Sequence, residues 1–548
     1  MKKQIFLALA FLPVFAGAQY KSEVWCPDNG DGTYTNPVIN ADYSDPDACA
    51  VGEDYYLTAS SFNCIPGLPI LHSKDMVNWE IIGHALKTQY PTEEFDRPSH
   101  GNGVWAPSIR YHNGEFYIYW GDPDQGVMMV KAKDPAGEWS KPLCVIPGKG
   151  MIDSTPLWDE DGRCYLTYAY ANSRSRFASV IVVRELLADG TKAIGDPVIV
   201  FDGNGTECRT CEGPKFYKRD GWYWIMFPAG GVPTGFQVAM RSKNVYGPYE
   251  HKIVLAQGKK SSVNGPHQGA WVHTAFGEDW FLHFQDKGCY GRVVHLQPVT
   301  WKDNWPVMGV DKDGDYCGDP VITYRKPKTA AKVQIQNPVE SDEFNSPFIG
   351  KQWQWHANYS QMFGMPTAFG TLRIYTHKLS EDFVNLWEVP NLLLQKTPAD
   401  KFTATAKVRF TSKDQNQFGG LIMMGLDYSA LVVKRVGDEF QLQQVTCKSA
   451  DKGKPETVNV IATLKPTAVD VIDYQPGTHE DIYLRMKVDA GKCRFYYSLD
   501  GKKYKSAGSE FTMREGKWIG AKIGLVAAEP AGKANRGWID ADWFRITK

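Results

Sequence analysis

The stretches GEDYYLTAS (52–60), NGEFYIYWG (113–121), DGRCYLTYA (161–169), DGWYWIMFP (220–228) and GEDWFLHFQ (277–285) are variations on one theme. Each sets a Gly, Asp or Asn turn before an aromatic residue that is followed by an aliphatic one. Counted from Tyr56, Tyr117, Tyr165, Trp224 and Phe281, the copies lie 61, 48, 59 and 57 residues apart. That spacing fits one four-stranded sheet per copy, with the turn residues supplying the hairpins. Three copies are trailed by a further echo, HSKDMVNW (72–79), KAKDPAGEW (131–139) and RSKNVYGPY (241–249), each a strand end, a polar turn and a late aromatic. A β-sandwich would account for alternation but not for this recurrence. Five repeats over roughly 290 residues predict an all-β, five-bladed β-propeller over residues 31–325.

Outward from the repeats the chain changes character twice. Residues 1–18 combine a positive start (Lys2, Lys3), an apolar run from Ile5 to Phe15 and a small-residue Ala16-Gly17-Ala18 end, the pattern of a secretory signal peptide. No later segment approaches the ~20 apolar residues of a membrane-spanning helix, so the expectation is an exported protein without a transmembrane segment. On the other side, KPKTAAKVQIQNP (326–338) lacks strand alternation and reads as a linker. Beyond it, residues 339–548 carry alternating runs such as FTATAKVRF (402–410), EFQLQQVTC (439–447) and GWIDADWFRI (537–546) without the repeat signature. Two stacked antiparallel sheets are the natural packing for such strands.

Composition narrows the partners. A net charge of -1 with 22% charged residues offers no basic field for nucleic acid. Aromatic residues make up 13% of the chain, which suits both β packing and sugar-stacking surfaces. The 11 cysteines are odd in number and irregularly spaced, so they read chiefly as core residues or free thiols. Cys208 and Cys211 form a CxxC just before Glu212, for which a local disulfide or a metal are the other readings.

Three acids, Asp45 in SDPD (44–47), Asp153 in MIDSTP (151–156) and Glu212 in CEGPKFY (211–217), occupy near-equivalent places in different repeats. Each alone is an ordinary turn residue. Together they are placed to converge on the axis of a ring, and positioned carboxylates are what cleave glycosidic bonds.

The order Asn36-Pro37-Val38, SDPD, YYLTASSF (55–62), HSKDMVNW resembles the opening of glycoside hydrolase family 43. VWAPSIRYHNGEFYIYW (104–120), MIDSTPLWDEDGRCYLTY (151–168), EGPKFYKRDGWYWIMF (212–227), PHQGAWV (266–272) and GRVVHLQPV (291–299) follow in that family's order. More loosely, DEFNSP (342–347) and DADWFRI (540–546) resemble the concanavalin-like, jelly-roll sandwich behind the propeller in its β-xylosidase and α-L-arabinofuranosidase branches. The resemblance implies an inverting exo-hydrolase that releases a terminal pentose, arabinofuranose or xylose, from plant cell-wall oligosaccharides or polysaccharides. Asp45 then matches the general base, Glu212 the general acid, and Asp153 the carboxylate that orients the acid and raises its pKa. Inversion needs base and acid roughly 6.5–9.5 Å apart so that water fits between them.

Further expectations are attached to single residues. Arg292 matches an arginine that contacts substrate hydroxyls, and His267 one near the axis, where some members hold calcium or a water cluster. Water would have to complete the shell of such an ion. Phe62 and Trp105 are candidate stacking platforms for the sugar. Glu343 with Asp540 or Asp542 could form a structural calcium site, although no cofactor is required by the reaction. The stretch WQWHANYSQMFG (353–364) is the candidate cap over the funnel. Two alternatives stand beside the hydrolase: a sugar-binding propeller with a degenerate site, and a retaining fructosidase, whose WMNDPNG and RDP signatures are missing.

Overall fold

The computed structural model describes residues 20–464, 481–533 and 535–548, so the leader-like residues 1–18 lie outside the described residues. Five four-stranded antiparallel sheets follow one another in the chain, each a simple meander. Their innermost strands are Asp47–Val51, Trp105–His112, Met151–Trp158, Lys215–Arg219 and His267–His273, and their outermost end at Leu86, Pro147, Asp202, Leu255 and Met308. The repeated aromatic sits on the second strand of every blade. Its leading turn explains the motif. In Asn113-Gly114 and Asp220-Gly221 both residues have positive φ, the geometry a two-residue hairpin needs to match strand twist.

The blades are held by what lies between them. Leu57 and Leu282, Ile70 and Ile118, Tyr119 and Leu166, Phe216 and Ile181, and Trp224 and Phe281 each belong to one apolar cluster shared by two neighbouring blades. The ring is closed by the chain ahead of blade 1. Thr33–Thr35 pairs with Thr323–Arg325. Asn36 exchanges hydrogen bonds of 2.8 Å with both the N–H and the carbonyl of Leu296 in blade 5.

The echo motifs are Asx turns. Asp75 accepts from Val77 N at 3.0 Å, Asp134 from Ala136 N at 2.9 Å and Asn244 from Tyr246 N at 2.9 Å. The late aromatic then reaches back: Trp79 Nε1 donates to Met76 O, Trp139 Nε1 to Pro135 O and Tyr249 OH to Val245 O. Turn and ring side chain thus fasten each other.

Residues 326–338 contain no strand, and a β-sandwich follows. Among the described residues it has an eight-stranded and a seven-stranded sheet, with Phe402, Leu421, Leu431 and Phe544 in the core between them. The sandwich is docked on the propeller. Trp355 and Ile65 exchange backbone hydrogen bonds of 2.6 and 3.0 Å, and Gly520 N donates to Asp42 at 2.9 Å. All 11 cysteines are free thiols. Among the described residues no helix is long and apolar enough to cross a membrane.

Asp75 is fully buried and accepts three further hydrogen bonds, from Ser73, Asn78 N and Asn78 Nδ2. Asp75→Ala is therefore expected to cost about 2–4 kcal/mol in urea unfolding, because buried N–H donors lose a charged acceptor. The matching Asp134→Ala, at an exposed turn, should cost much less; equal, small shifts would remove the turn from blade 1's stability.

Candidate active site

At the head of each innermost strand, one residue turns left-handed: Asp45 (φ 53°), Ala106 (φ 33°), Asp153 (φ 61°), Gly213 (φ 57°) and Gln268 (φ 56°). In blades 2, 3 and 5 a register shift accompanies it, between Trp105 and Ser108, Ile152 and Thr155, and His267 and Gly269. For a non-glycine residue this conformation costs about 1–2 kcal/mol, and a bulge re-aims the side chain it carries. Here the aim is the axis. The strand is then locked two residues on: Asp47 accepts from Ile109 N at 2.7 Å, Ser108 donates to Ser154 O at 2.7 Å, and Thr155 donates to Pro214 O at 2.9 Å. Each of these bonds joins one blade to the next. Lys215, buried, crosses the ring from blade 4 to donate to Pro107 O in blade 2 at 3.0 Å.

Asp45 and Asp153 occupy two of the five equivalent positions. Glu212 stands one residue ahead of the third, Gly213, and its extra methylene extends the carboxylate. The three acids line one cleft with Phe62, Trp105 and Arg292. Asp45 is fully engaged: Arg292 Nη1 donates to one oxygen at 2.6 Å and Ser60 Oγ to the other at 2.7 Å. Asp153 accepts from Gly213 N at 2.7 Å, a bond that the left-handed turn at Gly213 makes available.

Among the described residues, the Glu212 carboxylate receives no hydrogen bond; only its backbone N–H is engaged, by Pro228 O at 3.3 Å. Burial raises its pKa, and the nearby Asp153 and Asp45 raise it further, with Arg292 opposing. Asp153 is also pushed up, first by burial and then by Asp45, but Gly213 N–H, Lys215 and Arg292 pull it back. The environment thus favours the protonated form at Glu212 over Asp153.

Around this core, Asp42 ties three parts together. It accepts from Ser44 Oγ at 2.7 Å, from Arg292 N at 2.9 Å and from Gly520 N of the sandwich at 2.9 Å. Arg292 lies over the Phe284 ring at 5.0 Å. His267 packs against the same ring at 4.9 Å, its Nδ1 on Gly265 O at 2.6 Å, and burial depresses its pKa to about 4. The imidazole is thus neutral and does not line the cleft. Among the described residues His267 belongs to no group of three metal-competent side chains, so an ion beside it would have to take most of its ligands from water.

The sandwich supplies the wall that sequence reasoning missed. Trp518 (φ 65°) enters the cleft and meets Trp105 edge-on at 6.1 Å, while Trp105 meets Phe62 at 6.5 Å. WQWHANYSQMFG is not that wall. It packs on the propeller without lining the cleft, with Asn63 Nδ2 on His356 O at 2.7 Å and Asn358 Nδ2 on Gln89 O at 3.0 Å. The proposed calcium set in the sandwich is not assembled either. Glu343 pairs with Arg545, Asp540 with Arg373 and Asp542 with Lys407, so each acid already has its own cation.

The model of the glycosyl hydrolases family 43 matches residues 34–306, and that of the beta xylosidase C-terminal concanavalin A-like domain matches residues 341–547. A Xylanibacter ruminicola protein named "Putative beta-xylosidase" is 36% identical, over 91% of this chain and 87% of its own length. The chain belongs to glycosyl hydrolase family 43. A β-xylosidase of Formosa agariphila is 32% identical, over 94% of this chain and 90% of its own. The non-reducing end α-L-arabinofuranosidase BoGH43B of Bacteroides ovatus is 30% identical, over 93% and 94%. Among solved structures, the Bacillus licheniformis family 43 protein BlXynB superposes with a TM-score of 0.76 at 25% identity, covering 94% of this chain and 99% of that one. Propeller and sandwich are thus shared as a unit with other glycoside hydrolases of the family.

Trp518 gives this family 43 enzyme a wall from outside its propeller. Trp518→Ala should lower kcat/KM on aryl glycosides about 5- to 30-fold, the equivalent of ~1–2 kcal/mol of lost aromatic contact. The urea midpoint should stay unchanged, since Trp518 is half exposed. An unaltered kcat/KM would exclude it from substrate contact.

Proposed function

We propose that this glycoside hydrolase is an inverting, exo-acting enzyme that releases a terminal β-D-xylosyl or α-L-arabinofuranosyl unit from plant cell-wall oligosaccharides or polysaccharide side chains. The observation that carries the proposal is the asymmetry among three converging carboxylates: one salt-bridged, one held by a backbone N–H, one without a hydrogen bond. Glu212, kept protonated by burial and by its acidic neighbours, delivers its proton to the glycosidic oxygen as the bond to the anomeric carbon breaks. Asp45, paired with Arg292 at 2.6 Å, takes a proton from the water that attacks the opposite face. One bond is made as the other is broken, so configuration inverts. Asp153 stays close to Glu212 and supplies the negative charge that keeps its proton in place.

The choice of sugar draws on the relatives, two named as β-xylosidases and one as an arabinofuranosidase. The exo mode draws on the aromatic wall of Phe62, Trp105 and Trp518, which suits one terminal ring. Export draws on residues 1–18 alone.

The assignment of the acid predicts a dependence on leaving group. Glu212→Gln should lower turnover of xylo- or arabino-oligosaccharides by roughly 10²–10⁴, yet spare much of the activity on aryl pentosides with acidic phenols, which need little protonation. Its pH profile should lose the alkaline limb, since the wild-type rate falls as pH rises through the raised pKa of Glu212. Asp45→Asn should suppress both substrate classes alike. Equal loss on both classes in Glu212→Gln would overturn the acid assignment, and comparing xylosides with arabinofuranosides identifies the sugar.

A further inference from the structure

We propose that Glu207, Cys208 and His251 form a zinc site that clips the Glu212-bearing loop to the outer edge of blade 4. The three residues come from two elements. Glu207 and Cys208 lie in the connection from Val198–Asp202 to Lys215–Arg219, and His251 lies on the outermost strand of blade 4, Glu250–Leu255. None of them lines the catalytic cleft.

One carboxylate oxygen, the thiol sulfur and one imidazole nitrogen all lie within 4.8 Å of one another. His251 Nε2 and Glu207 Oε1 are 3.2 Å apart. Zinc bonds of about 2.0–2.3 Å in a tetrahedron place neighbouring ligands roughly 3.3–3.8 Å apart. The nitrogen and oxygen are therefore already at the separation a shared ion requires, and the sulfur has at most about 1 Å to close.

A second feature is the state of the thiol. Cys208 is fully buried, and among the described residues its sulfur makes no hydrogen bond. It points at the two groups able to share a cation with it. Its backbone is fixed by a 3.1 Å bond from Cys208 N to Thr206 Oγ1, and the His251 ring is held edge-on to Phe201 at 5.1 Å. Thiolate, imidazole and carboxylate together are a borderline-soft set, suited to zinc and not to calcium or magnesium. Three protein ligands leave the fourth position to water.

The site would act on stability and on the acid's placement. Glu212 follows Cys208 by four residues, and the intervening turn is tied down by Thr210 N to Ser179 Oγ at 2.9 Å and Gly230 N to Arg209 O at 3.0 Å. A metal at Cys208 would complete that tether.

Cobalt(II) titration of the reduced, metal-free full chain tests the proposal, because cobalt reports thiolate ligation by a charge-transfer absorption in the near ultraviolet. The expected result is uptake of one equivalent, the thiolate band, displacement by zinc, and a zinc-dependent rise in the thermal midpoint. Cys208→Ser should abolish the band. His251→Ala, at a partly exposed position that should leave folding intact, should weaken uptake roughly 10-fold or more. Absence of the band, or a band that survives Cys208→Ser, would overturn the proposal. So would a Cys208–Cys211 disulfide whose reduction restores no metal uptake.

Discussion

A left-handed residue at the head of each innermost strand is the constraint on which the molecule is organised. It bends the strand entry so that position 45, 106, 153, 213 or 268 faces the axis, and the strain of about 1–2 kcal/mol at each non-glycine position is held by the hydrogen bonds just below. Those bonds run from blade to blade, through Asp47, Ser108 and Thr155, so the conformation that aims the acids is also the one that joins the ring. The seam between blades 5 and 1 is sealed twice, by Asn36 on Leu296 and by Arg292 on Asp45. Stability and chemistry therefore meet in the same salt bridge.

The electrostatics follow from that geometry. Burying three carboxylates around one cleft is unfavourable unless charge is paired or suppressed. The protein uses both solutions. Asp45 receives the guanidinium, Asp153 receives a backbone N–H and the more distant field of Lys215, and Glu212 receives neither and is pushed towards its neutral form. The proposed proton donor and proton acceptor thereby differ in their surroundings.

Much of this was legible in the chain because a propeller repeats its local rules. The aromatic–aliphatic pairs mark second strands, Asn113-Gly114 and Asp220-Gly221 mark two-residue hairpins, and Asp75, Asp134 and Asn244 mark Asx turns, all set by neighbours in sequence. The fivefold equivalence of SDP, WAP, IDS, EGP and HQG was also there to be read, and would have brought Gln268 to the cleft beside the acids. What could not be read depends on docking or cross-strand register. Trp518 reaches the cleft because the sandwich is seated by Asp42 and Gly520, whereas the aromatic-rich WQWHANYSQMFG, the stronger local signal, does not line it. Asp540 and Asp542 looked like metal ligands because sequence alone does not place Arg373 opposite Asp540, nor Lys407 beside Asp542.

The proposed inversion requires water and proton to reach the sugar from opposite faces, at Asp45 and Glu212 respectively. Proton NMR of the sugar released from an aryl pentoside, recorded before mutarotation scrambles it, reads this directly. Inversion predicts that the first product has the anomeric configuration opposite to the substrate's, α-xylose from a β-xyloside or the β-anomer from an α-arabinofuranoside. Release of the same anomer as the substrate would contradict it.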